Sequence, residues 1–127
     1  MSLLGNKRLA ISLGVVCVGL LVLCGGLFWS YGLLKIQVAF ASEQTQIFTR
    51  MRAQALQSDA ASAAGCLRYV VGYYPSGSKQ QTGSLLDRMV EYERALAVRD
   101  IVAYLRNKTG QDLGESSEAW IQKYAKR

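Results

Sequence analysis

The stretch Leu9–Leu34 reads LAISLGVVCVGLLVLCGGLFWSYGLL, 26 residues with no charge between Arg8 and Lys35. As a helix it is about 39 Å long, which exceeds the ~30 Å hydrocarbon core of a bilayer and allows a tilted crossing. Lipid offers no partner to a backbone N–H or C=O, so a run of this kind must close its hydrogen bonds internally. Trp29 and Tyr31 lie toward its C-terminal end, where amphipathic rings sit at headgroup level. The expectation is a short N-terminal tail over 1–8 and a transmembrane helix over 9–34.

Two processing signals compete with an uncleaved anchor. Ala39-Phe40-Ala41 has the small-x-small form of a signal-peptidase site. The apolar stretch before it is far longer than the ~7–15 residues of a secretory signal. An anchor is therefore expected, with an exported soluble helical domain, released after Ala41 and binding a small ligand, as the alternative. Leu21-Val22-Leu23-Cys24 departs from a lipoprotein box at Leu23, where such boxes take Gly, Ala or Ser. Lys7 and Arg8 on one side face Lys35, Arg50 and Arg52 on the other, so charge does not choose an orientation. The short tail favours an N-terminus in the cytoplasm.

Outside this run the chain reads as helical. No Gly or Pro follows Lys35 until Gly65, so the membrane helix is expected to continue outward as a juxtamembrane helix over 35–57. Phe40, Ile47, Phe48, Met51, Ala55 and Leu56 form its apolar stripe, with Gln44, Gln46, Arg50, Gln54 and Gln57 between them. This stripe packs on the following helices, or else lies on the membrane or on another protein. A small helical hairpin domain with a short C-terminal helix should fill 58–127. Ser58 and Asp59 are N-cap residues for a helix with Ala60, Ala64, Leu67, Val71 and Tyr74 on one face, stopped by Pro75. The loop PSGSKQQTG leads to Ser84 and Asp87, spaced like a capping box. Leu86, Val90, Ala97, Ile101 and Leu105, widened by Leu85, Met89, Val98 and Val102, define the next helix, which ends at Gly110 as a left-handed cap. Arg88 with Tyr92 falls on another face. A last helix starts near Ser116 or Ser117, with Glu118 in its first turn and Lys123, Lys126 and Arg127 in its last. The fold class is thus all-α: one N-terminal transmembrane helix and a small antiparallel helical bundle.

Charge and composition exclude several function classes. The 127 residues carry 15 Lys and Arg against 9 Asp and Glu, a formal net charge of +6. Setting aside Lys7, Arg8 and Lys35 leaves 12 against 9, or +3, with Arg50, Arg68, Arg88, Arg99 and Lys108 scattered among acids. Nucleic-acid binding needs a concentrated basic patch and is not expected. Cys17 and Cys24 lie in the apolar run, which leaves Cys66 alone as a small buried hydrophobe. There is no histidine and no CxxC pair, and Glu91 and Glu93, two apart on a helix, point in different directions. Gly72-Tyr73-Tyr74-Pro75-Ser76-Gly77-Ser78-Lys79 fails as a phosphate loop, because Lys does not follow the second Gly directly and a helix precedes it. No catalytic residue, metal ligand or cofactor is implied, and the expected partners are membrane lipid and a protein partner or a second copy.

The YYPSGSKQ loop, the helix RALAVRDIVAYLRNKTG and the tail TGQDLGESSEAWIQKY resemble small membrane-anchored helical proteins of planctomycete-type bacteria. The tail is also similar to the ends of HEAT-like repeats, where a Thr-Gly-x-Asp-Leu-Gly turn leads into a helix bearing a Trp. The resemblance covers roughly residues 66 to 124, brings no established activity, and implies paired antiparallel helices that hold other proteins. It also implies a bacterial inner membrane. One helix pair without an internal period falls short of a repeat protein.

The candidate interaction residues are Trp120, Tyr124, Tyr74 and Lys79. Trp120 either docks the last helix onto the hairpin or stands exposed as a hot spot, and Lys79 could meet an anion or headgroup. Ser12, Gly19 and Gly26 recur every seven residues, with Ser30 one turn beyond, as a candidate helix-packing face. If that stripe joins two copies, Gly19→Ile with Gly26→Ile is expected to reduce crosslinking between chains in membranes. Unchanged crosslinking would remove the face from consideration.

Overall fold

The computed structural model describes residues 2–125, with side chains from Asn6 onward. Among them it is all-helical, with α1 at Ser2–Ala55, α2 at Ala60–Gly72, α3 at Leu85–Thr109 and α4 at Ser117–Tyr124. The chain divides into two compact units between Ile36 and Gln37.

The first unit is the apolar part of α1, long and apolar enough to cross a membrane, and none of its most apolar window is buried by the chain itself. Helix begins at Ser2, so residues 2–8, expected as a tail, already belong to it. Lys35 Nζ sits 4.9 Å from the centre of the Tyr31 ring.

The second unit starts from the remainder of α1. Its buried face is Ala41, Gln44, Phe48 and Ala55, with Met51 half-buried, a spacing of three and four residues. Two expectations change here. Leu56 is 41 % exposed because α1 stops at Ala55 and the chain turns away, and Gln44, expected as a polar spacer, is buried. Gln80 Nε2 donates to Gln44 Oε1 at 2.7 Å, which pairs the two buried amides with each other.

Asp59 caps α2, its carboxylate accepting from Ser62 N at 2.8 Å. The buried face is Ala63, Ala64, Cys66, Leu67 and Val70; Ala64 and Leu67 of the expected face lie in it and Ala60 packs at its edge, whereas Val71 and Tyr74 are 41 % and 43 % exposed. Small residues at 63 and 64 let α2 approach its neighbours closely. α2 runs antiparallel to α1 and α3: Tyr73 at its end meets Phe48 edge-on at 6.1 Å, while Ser58 just before it accepts from the Tyr104 hydroxyl.

The helix ends at Gly72, before Pro75, and Arg94 of α3 closes it. Arg94 Nη1 donates to Val70 O at 2.6 Å and Nη2 to Tyr74 O, while Nε faces the Glu91 carboxylate at 3.2 Å. Carbonyls in a last helical turn lack internal donors, and a cation there also suits the dipole. Tyr74 has φ +32°, a left-handed value that a side chain adopts only when its surroundings hold it. The Arg94 bond to its carbonyl supplies part of that hold. The guanidinium also lies 4.7 Å from the Phe48 ring centre, so one side chain bridges α1, α2 and α3.

α3 has the expected caps: Ser84 Oγ accepts from Asp87 N, and Gly110 is left-handed at φ +66°. Asp87 departs from a capping box. Its shorter carboxylate accepts from Gly83 N rather than Ser84 N, and from the Ser76 hydroxyl and Gly77 N across the loop, at 2.8–3.0 Å. Gly77 has φ +78°, and a Cβ there would lie 2.0 Å from Thr82 Oγ1, so only glycine closes this turn. Leu85 and Met89, expected in the core, are 65 % and 54 % exposed, since the buried face of α3 is the narrower set Val90, Ala97, Ile101, Val102 and Leu105.

α4 packs on α2 and α3 through Trp120, which is fully buried and donates from Nε1 to Gly114 O at 3.0 Å. Arg106 orders the turn before it by pairing with Asp112 at 3.1 Å and Glu115 at 2.9 Å. Lys126 and Arg127, expected in the last turn, lie outside the described residues.

Arg94→Met keeps an apolar stem but removes the donors to Val70 and Tyr74, and is expected to cost about 2–4 kcal/mol. Arg99→Met, at a side chain 67 % exposed, should change stability by less than about 0.5 kcal/mol. Urea denaturation of the full chain in micelles, read by amide exchange in α2, checks the contrast. The Asp87 carboxyl is held below the ordinary carboxylate range, first by the Gly83 N–H, then by the Ser76 hydroxyl, with Gly77 adding to them and burial opposing. Its ionised form therefore contributes stability above the unfolded value near ~3.9, lost as pH falls through the lower folded value. The Gly77 and Gly83 amide resonances should titrate together below about pH 4, and Asp87→Asn should abolish that titration.

Candidate interaction surface

The structure separates the four candidate interaction residues. Trp120 lies inside the core and presents no surface, so the exposed hot-spot reading is replaced by docking of α4. Its indole is what α4 has to bury, and the core of α2 and α3 takes it. Tyr124 is half-buried, stacks on Trp120 at 6.0 Å and shares a 2.7 Å hydrogen bond with Gln111 Oε1. These two residues organise the C-terminal turn.

Tyr74 and Lys79 do come together. Lys79 Nζ lies 4.5 Å from the Tyr74 ring centre and 4.8 Å from that of Phe40, held between two aromatic faces. Such contacts are worth about 0.5–1 kcal/mol each where solvent reaches them. Tyr73, Glu43 and Gln44 complete a hollow of about 130 Å³ around the ammonium. Burial, followed by the Glu43 charge, pushes the Tyr73 hydroxyl pKa up. Lys79 is thus used within the fold, where it pins the α2–α3 loop to α1.

In the apolar unit Ser12, Gly19, Gly26 and Ser30 fall on the open helix surface. Ser12 Oγ donates to Leu9 O at 2.9 Å, and a Cβ added at Gly19 or Gly26 meets nothing within 4 Å. The stripe has room for a close neighbour.

A larger surface feature was not singled out by the sequence. Within the helical unit α1 and α3 run in the same direction, Gln44 meeting Gln80 before α3 and Arg52 pairing with Asp100 along it at 3.4 Å. Between them lies an open groove of about 780 Å³. α1 contributes Thr45, Gln46, Thr49, Arg50 and Ala53, while α3 contributes Arg88, Met89, Tyr92 and Glu93. Tyr92 is 65 % exposed, so the groove wall is open apolar surface. The signal available in sequence was the Arg88–Tyr92 pair on the off-core face of α3.

Cys66 is buried, and desolvation pushes its thiol pKa up. Asp112 and Glu115 serve the turn before α4 through Arg106. Compared with known proteins, the chain matches no family model, no curated protein and no solved structure.

Proposed function

We propose that this chain is a non-catalytic, single-pass membrane protein whose helical unit serves as an interaction or accessory module at the membrane surface. The observation that carries the reading is the apolar window of α1, of which the chain buries nothing. Side chains such as Leu21, Val22 and Leu27, all 70 % exposed or more, would be costly in water, and lipid is the medium that accepts them. The groove between α1 and α3 supports an interaction role for the other unit. A bacterial inner membrane with the N-terminus in the cytoplasm completes the proposal, with lipid around the first unit and a protein partner, or a second copy, on the second.

Release of a soluble domain after Ala41 is the rival. Ala41 lies within α1 and is 7 % exposed in the core of the helical unit, so a chain cut there begins one residue short of its own packed face. This supports retention. After alkaline carbonate extraction of membranes, the full-length chain is expected in the pellet, with an intact mass that includes residues 1–41. A product beginning at Ser42, or full-length chain in the supernatant, would overturn the anchor.

A further inference from the structure

We infer that the groove between α1 and α3 is a docking site for an acidic amphipathic helix of a partner protein. The inference rests on the interaction-module reading and specifies the chemistry of its partner.

The charge pattern carries it. Among the described residues Arg52, Arg94, Arg99 and Arg106 are all in ion pairs. Arg50 and Arg88 are in none, and both line this groove, one from each helix. Glu93 is the only carboxylate in the lining. The other polar groups are largely used: Thr45 Oγ1 donates to Ser42 O at 2.9 Å, Thr49 Oγ1 to Thr45 O at 3.0 Å, and Gln46 Nε2 to Ser42 Oγ at 3.3 Å. The groove therefore offers a partner two uncommitted guanidiniums beside Met89, Tyr92 and Ala53. That combination fits an apolar stripe flanked by carboxylates.

Shape selects the occupant. The α1 wall from Thr45 to Ala53 spans about 12 Å, or about two helical turns, which matches anchors at i, i+3 or i+4, and i+7. A bilayer needs a continuous apolar face, whereas this surface is an open groove whose apolar side chains are interrupted by Arg50, Arg88 and Glu93. A symmetric pairing of two grooves would place four guanidiniums against two carboxylates, which disfavours a second copy.

The test uses the full chain in phosphatidylcholine nanodiscs and a displayed library of short amphipathic helices with a fixed leucine stripe and randomised flanking positions. Selection is expected to enrich Glu and Asp beside the stripe. The enriched peptide should bind about tenfold more weakly when Arg50→Glu and Arg88→Glu are combined, and recover when its acids are changed to lysine. Tyr92→Ala, at an exposed position that leaves the fold intact by circular dichroism, should weaken binding by at least as much.

No enrichment, enrichment without an acidic preference, or binding indifferent to these variants would overturn the inference. In phosphatidylglycerol nanodiscs, crosslinking of labelled lipid to a photoreactive probe at Ala53, lost when Arg50→Glu and Arg88→Glu are combined, would assign the groove to lipid instead. Disulfide capture of Ala53→Cys between two chains would assign it to a second copy. None of these results changes the carbonate-extraction outcome, so failure of the groove and failure of the anchor are read separately.

Discussion

The helical unit depends on one guanidinium. Arg94 reaches from α3 to the open end of α2, lies against the Phe48 ring of α1 and is neutralised by Glu91 on its own helix. Only 12 % of its side chain is exposed, yet all three of its nitrogen atoms donate hydrogen bonds. A lysine could not replace it, because a single ammonium cannot reach Val70 O, Tyr74 O and a carboxylate from one position. Around this point the rest of the packing is ordinary aliphatic burial, with Leu67, Ile101, Leu105 and Trp120 fully enclosed.

A second polar device fixes the connection between α2 and α3. Nine residues of loop, Pro75 to Gly83, contain two left-handed glycines and would have little reason to hold one shape. Asp87 gathers both ends of the loop onto the start of α3, Gln80 plugs into α1 through Gln44, and Lys79 lies between Phe40 and Tyr74. The loop is therefore tied to two helices by groups that are individually weak and jointly specific. Its conformation is set by polar pairing rather than by a hydrophobic core of its own.

Elements set by local chemistry were legible before any coordinates: α3 between Ser84 and Gly110, the cap at Asp59, and a helix running unbroken through Lys35. What escaped depends on partners distant in sequence. Gln44 resembles any polar spacer until Gln80, 36 residues away, meets it. The alanine-rich α2 offers too little contrast between its faces for periodicity to choose Val70 over Val71. Leu85 and Met89 carry the apolar signature of core residues, yet the bundle has no fourth helix on that side to cover them. The groove is invisible in sequence for the same reason, since Arg50 and Arg88 belong to different helices. Arg94 gave no signal at all, because an arginine on a helix is usually a solvated one.

The core of the helical unit unites Phe48 with Trp120, residues separated by more than half the chain. During synthesis this part of α1 leaves the ribosome before Tyr73 and Arg94, the side chains that meet the Phe48 ring from the end of α2 and from α3, have been made. Until then the apolar stripe beyond Lys35 is open to the wrong neighbours, other nascent chains among them. Maturation of this chain thus has an order imposed by its topology, in which the apolar helix engages its surroundings before the remainder can close.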